Sequence, residues 1–125
     1  RCGWLDLCVL RKAVRANGLG YLALTHLDVL DGFDEIPLCV AYEIDGRRVD
    51  IFPSAPWEIE RAVPVYEMLP GWKTPTSPYR RFEDLPVNAQ GYLNRVSDLC
   101  GVPLCMITVG NERDQTIVMR ETVSV

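Results

Sequence analysis

The chain has 125 residues, 48% of them apolar and 24% charged, which is ordinary globular usage and excludes a disordered tail, a collagen-like chain and a coiled-coil rod. Its formal net charge of -4, with no dense Lys/Arg stripe, makes it a poor partner for a nucleic-acid backbone. Charge interrupts every apolar stretch too early for a membrane-spanning helix, and no basic-then-apolar opening reads as a signal peptide.

The length is that of one domain, yet Arg1-Cys2-Gly3-Trp4 reads like the middle of a polypeptide, either processed or cut from something longer. Leu7, Leu10 and Val14, broadened by Val9 and Ala13 and backed by Arg11, Lys12 and Arg15, predict an amphipathic helix over residues 5–17. Asp6 is a favourable charge in its first turn, and Asn17-Gly18 is its stop. The apolar run Tyr21-Leu22-Ala23-Leu24-Thr25 predicts a strand covered on both faces. A short helical turn over Val29 to Phe33 follows, closing at Gly32. Residues 37–43 form a second strand, Asp45-Gly46 a two-residue hairpin turn, and Arg47 to Phe52 the returning strand. One helical turn is expected over residues 58–62. A strand follows over 63–69, and Pro64 confines it to an edge or irregular position.

A polar loop leads to Pro86, which fits the first turn of a helix carrying Ala89, Tyr92, Leu93, Val96 and Leu99 and ending at Gly101. Leu104 to Thr108 and Thr116 to Arg120 are the last strands. The pattern is α/β with a mixed sheet and flanking helices, and it lacks a clean β-α-β alternation.

Five cysteines (Cys2, Cys8, Cys39, Cys100 and Cys105) form no C-x-x-C pair, so no zinc ribbon or thioredoxin-type site is implied. They read as reduced structural thiols of a cytoplasmic protein; the alternative is a reactive thiol, for which His26 is the sole histidine base. The chain carries no G-x-x-x-x-G-K-[ST], G-x-G-x-x-G, H-E-x-x-H or G-x-S-x-G motif, and one histidine excludes a His-rich metal site.

Two spots suggest ligand contact. In Thr25-His26-Leu27-Asp28, polar residues leave a strand at its C-terminal end, the edge where ligands dock in open α/β sheets. A carboxylate there can accept the side-by-side ring N–H and exocyclic amine of guanine, a pair adenine does not offer. Equally, Asp28 can simply cap the 29–33 turn, and His26 can be an ordinary surface histidine. In Thr108-Val109-Gly110, the glycine would let a flat ligand approach the backbone, or else serves an ordinary strand-to-turn junction. Arg47-Arg48 and Arg80-Arg81 read as solvated faces.

The segments Arg1-Cys2-Gly3-Trp4-Leu5-Asp6, Leu24-Thr25-His26-Leu27-Asp28-Val29-Leu30-Asp31, Val40-Ala41-Tyr42, Tyr66-Glu67-Met68-Leu69-Pro70-Gly71-Trp72, Asp84-Leu85-Pro86 and Gly101-Val102-Pro103 occur in this order. Together they resemble the C-terminal third of adenylosuccinate synthetase, from Arg1 to about Arg120. The resemblance implies that residues 1–125 are the C-terminal part of a larger P-loop-like α/β enzyme, a homodimer, that joins IMP to L-aspartate at the expense of GTP with Mg²⁺. The 6-oxygen of IMP is phosphorylated, and the aspartate amine then displaces that phosphate to give adenylosuccinate on the route to AMP.

By the same resemblance, the phosphate loop, the general base and the histidine that stabilises the transferring phosphoryl group belong to an N-terminal part absent here. No catalytic residue or metal ligand is therefore expected in this chain, and alone it should be inactive. What carries over is the guanine end of the GTP site: His26, Leu27 and Asp28, with Thr108, Val109 and Gly110. His26 stands where the family has a lysine against the base, and Asn111 where many members have Pro or Lys. Arg1 would end an arginine-rich loop for IMP and aspartate and has no definite role. The alternative is a stand-alone guanine-nucleotide-binding or interaction module without catalysis.

Overall fold

The computed structural model describes residues 4–119, so Arg1, Cys2 and Arg120 lie outside the described residues. Contacts divide the chain into two compact units: residues up to Leu19 with Pro37–Leu69, and Gly20–Ile36 with the chain from Pro70 onward. Each has its own three-stranded sheet, so the expected mixed α/β architecture is present as two small sheets. Among the described residues no helix is long and apolar enough to cross a membrane.

In the first unit, helix α1 spans Leu7–Asn17. Asp6 lies just before it as the N-cap, accepting from Cys8 N (2.9 Å) and Val9 N (3.2 Å). Gly18 closes the helix in the left-handed region, where only glycine is unstrained. Leu7 and Cys8 are the buried residues of α1; Val9 is exposed and does not broaden the apolar stripe. Arg11 and Lys12 are not merely solvated: Arg11 donates to the Val40 and Asp50 carbonyls, both at 2.9 Å, and Lys12 to Ser54 Oγ at 2.8 Å.

Strand β2 (Glu35–Ile44) is central, between β3 (Arg47–Val49) and β4 (Val63–Pro70). Central placement explains its nearly unbroken burial from Leu38 to Tyr42. The β2–β3 hairpin turns at Asp45 (φ 53°) and Gly46 (φ 81°), as the dipeptide predicts. Pro64 sits in edge strand β4, where its missing N–H costs no ladder bond on the open side. Helix α2 (Pro56–Arg61) starts two residues earlier than expected, with Pro56 supplying the pre-set φ of a first turn.

In the second unit, β1 (Leu22–Leu24) pairs in parallel with β5 (Leu104–Thr108), and β5 pairs antiparallel with β6 (Thr116–Val118). This sheet is mixed, as expected. Strand β1 is not covered on both faces, since Ala23 is exposed and Leu22 and Leu24 are half-buried. Helix α3 (Val87–Cys100) buries Ala89, Tyr92, Leu93, Val96 and Cys100, a stripe at helical spacing in which Cys100 rather than Leu99 completes the face. Pro86 is its N-cap and Gly101 its left-handed stop. The helical turn expected over 29–33 is a 3₁₀ turn over Leu27–Leu30.

Candidate functional site

Parallel strands deliver their C-terminal ends to one edge of a sheet. With Leu24 opposite Ile107, the segments that leave β1 and β5 therefore meet. His26 N donates to Thr108 Oγ1 at 2.7 Å, joining the two stretches singled out in the sequence. His26 adopts φ 60°, ψ 51°, a left-handed conformation uncommon for a non-glycine residue and found preferentially at functional turns. Leu27, 1% exposed, anchors the turn that follows.

Asp28 stands in the first turn of the 3₁₀ segment. Its Oδ1 is buried and has no hydrogen-bond partner. Asp28 is not a cap: the N-cap position belongs to His26, which makes no side-chain cap bond, and Asp31 N donates to the Asp28 backbone carbonyl (3.1 Å). The nearest opposite group is His26 Nδ1, 3.9 Å from Asp28 Oδ1, with the side chains 48% and 33% exposed. A buried carboxylate oxygen without a donor is costly and uncommon in a folded chain. Here it is an acceptor left open beside a solvent-accessible side chain.

The Thr108-Val109-Gly110 segment is fixed from the other side. Val109 is fully buried, and its N–H donates to the Gln115 carbonyl at 2.9 Å. A Cβ on Gly110 would overlap the Gln115 side-chain amide, whose Oε1 accepts from Glu112 N at 3.0 Å. Glycine at 110 thus makes room for Gln115, a residue the sequence reading did not single out. Nothing in the local spelling of that turn marks Gln115.

A second group escaped the sequence reading. Asp31 accepts from Trp72 Nε1 (2.7 Å), Thr76 N (2.9 Å) and Thr76 Oγ1 (2.9 Å). Thr76 is fully buried, and the Trp72 ring meets Tyr92 edge-on at 5.8 Å. The available signal was the tryptophan N–H, which requires an acceptor once its ring is buried; Thr76, one of several hydroxyl residues in a polar loop, carries no such mark.

Arg48, Arg80 and Arg81 are exposed, as expected of solvated faces; the Arg80 guanidinium also donates to the Ser77 and Tyr79 carbonyls and lies 3.5 Å from Asp114 Oδ2. Cys8 and Cys105 are free thiols. Burial, with help from the nearby Asp6 carboxylate, pushes the Cys8 thiol up to about 11, which suits a packed side chain and not a nucleophile. Among the described residues no group of three or more His, Cys, Asp or Glu side chains could hold a metal ion.

Comparison with known proteins extends the geometry. The adenylosuccinate synthetase family profile matches residues 1–117. The chain is 48% identical over 120 residues to adenylosuccinate synthetase 1, chloroplastic, of Ricinus communis, covering 96% of this chain and 27% of that protein. It is 51% identical over 123 residues to the Synechococcus sp. adenylosuccinate synthetase, covering 98% and 28%. The solved structure of fully ligated adenylosuccinate synthetase from Plasmodium falciparum superposes with a TM-score of 0.90 at 35% identity, over 96% of this chain and 29% of that one. The chain thus spans under a third of the length of the curated relatives it matches. With a family match over nearly its whole length and a shared fold at substantial identity, this chain belongs to the adenylosuccinate synthetase family.

Proposed function

We propose that residues 1–125 are the C-terminal, guanine-recognising segment of an adenylosuccinate synthetase. The intact enzyme would join IMP to L-aspartate with GTP to form adenylosuccinate in purine biosynthesis. The observation that carries the assignment is the buried Asp28 Oδ1, which accepts no hydrogen bond, at the strand edge where His26 and Thr108 meet. An ionised carboxylate offers two acceptor oxygens, and guanine presents two adjacent N–H donors in the matching plane. Asp28 would take the ring N–H and the exocyclic amine. His26 would lie against the base, and Thr108, Val109 and Gly110 would border it.

The residues present fit the base of GTP. They do not fit Mg²⁺, because no donor set for a metal converges among the described residues, so no step through the metal is derived from this chain. The phosphates, the metal, IMP and L-aspartate would be held by other parts of the intact enzyme, which we read as a homodimer. Free thiols at Cys8 and Cys105 support a reducing compartment, with the cytoplasm as our reading.

The purified 125-residue chain should release no phosphate from GTP in the presence of IMP and L-aspartate; measurable release would overturn the assignment of catalysis to another part. Titration of the chain with GTP, GDP and ATP separates the alternatives further. Guanine-selective binding that disappears in Asp28→Ala supports the site, and equal affinity for ATP and GTP counts against it.

A further inference from the structure

Two carboxylates share one short turn and are used in opposite ways. Asp28 leaves an oxygen open, whereas Asp31 is saturated by Trp72 Nε1, Thr76 N and Thr76 Oγ1. All three donors come from the loop that follows β4. That loop is itself anchored: Gly71 N donates to the Asp34 carbonyl (2.8 Å), and Gly71 O accepts from Asn88 Nδ2 of α3 (2.9 Å). Gly71 lies so close to the Phe33 carbonyl that a Cβ there would overlap backbone, a contact no flexible side chain can relieve. At the other end of the turn, His26 N is fixed by Thr108 Oγ1. Between these two anchors, Asp31 N bonds the Asp28 carbonyl at 3.1 Å.

We propose that Asp31, through Trp72 and Thr76, is the positioning residue that holds Asp28 in the orientation required by a planar base with paired N–H donors. The proposal rests on the guanine reading above. An acceptor kept free of protein donors cannot be oriented by its own hydrogen bonds, so its direction must come from the backbone that carries it. Fixing that backbone in advance avoids an ordering cost at the moment of binding.

The test uses the full-length protein that carries this chain. Asp31→Asn keeps an oxygen for Trp72 and the Thr76 hydroxyl but turns an amide donor toward Thr76 N. Thr76→Val keeps the shape and removes the hydroxyl donor, and it serves as the milder variant if Asp31→Asn folds poorly. The readout is the preference for GTP over inosine triphosphate, which lacks the exocyclic amine, alongside KM for IMP and kcat.

The expected result for Asp31→Asn is a rise in KM for GTP of about tenfold, a shrunken preference for GTP, and a KM for IMP unchanged within about twofold. Thr76→Val should shift the preference in the same direction by less. In an Asp28→Asn background, Asp31→Asn should cost no further preference, because it acts through Asp28. An Asp31→Asn enzyme with its preference intact, or losses that multiply in the double variant, overturns the proposal. If Asp28→Asn lowers the preference and Asp31→Asn does not, the clamp alone fails. If Asp28→Asn leaves the preference untouched, the guanine reading fails and takes the clamp with it.

Discussion

Asp6 and Asp28 are spelled alike, each following a leucine and opening a helical segment, and the structure uses them in opposite ways. At the start of α1, Asp6 accepts from Cys8 N and Val9 N through one oxygen and from the buried Tyr42 hydroxyl through the other. At the start of the Leu27–Leu30 turn, Asp28 has a buried oxygen that accepts nothing. A carboxylate whose acceptor sites are filled by its own chain stabilises the fold. One with a desolvated, empty acceptor weakens the fold slightly and is useful only to an incoming donor. The pair sets a filled carboxylate beside an open one within a single chain.

The largest effect expected on the structural side is that of Asp6→Ala. It removes a helix cap, worth about 1 kcal/mol, and strands the Tyr42 hydroxyl, worth about 1–3 kcal/mol. Stability should fall by about 2–4 kcal/mol in denaturant unfolding, with KM for GTP unchanged. A stable Asp6→Ala protein would mean that the filled acid carries no more of the fold than the open one. Tyr42 marks the same bond from its other end: burial first, and then the bonded Asp6, raise its phenol well above the usual tyrosine range.

Sequence alone reached part of this comparison. The periodicity of α1 and α3, the Asp45-Gly46 hairpin and the edge position implied by Pro64 are written in local residue order, because each depends on neighbours within one turn or one strand. The fate of Asp28 is not local. Whether it caps depends on which oxygen Asp31 N selects, and whether its own oxygen is buried depends on packing around Leu27 and β5. The saturation of Asp31 is still less legible, since its donors stand 41 and 45 residues away. The division into two sheets was hidden for the same reason: β1 finds its partner in β5, far along the chain. The candidate residues at 26–28 and 108–110 are adjacent in the sequence motifs, but the contacts that hold them are not visible there.

Next in size is Asp28→Asn in the full-length protein. At the proposed guanine site one acceptor oxygen would become a donor facing the base N–H groups, and a charge-assisted bond is worth about 1.5–3 kcal/mol, so KM for GTP should rise by about tenfold to a hundredfold. Stability should stay within about 0.5 kcal/mol of the parent, since no protein donor is lost. Isothermal titration with a GTP analogue and thermal unfolding read both quantities. A large loss of stability with unchanged GTP binding would place Asp28 with Asp6 among the structural acids. Tyr42→Phe then refines the other side at smaller scale. Asp6 keeps its two backbone donors and loses the hydroxyl, a cost of about 1 kcal/mol in unfolding experiments.

The smallest effect concerns the residue that introduces the open acid. His26 holds a left-handed backbone, which costs a non-glycine residue about 1 kcal/mol, and its imidazole lies 3.9 Å from Asp28 Oδ1 with nearly half of its side chain exposed. An ion pair at that distance and exposure contributes little, in the range of about 0–1 kcal/mol. His26→Gly relieves the backbone and removes the pair, while the bond from residue 26 N to Thr108 Oγ1 can persist because it uses the main chain. The two terms oppose each other, and glycine also loses more conformational freedom on folding. The net change in unfolding free energy should therefore lie within about 0.5 kcal/mol of zero, with a modest loss in affinity for GTP from the missing ring. A stability loss well beyond that range would show that the imidazole is a partner Asp28 depends on. Asp28 would then no longer count as an acceptor held open by the backbone alone, and its contrast with Asp6 would narrow to a difference of degree.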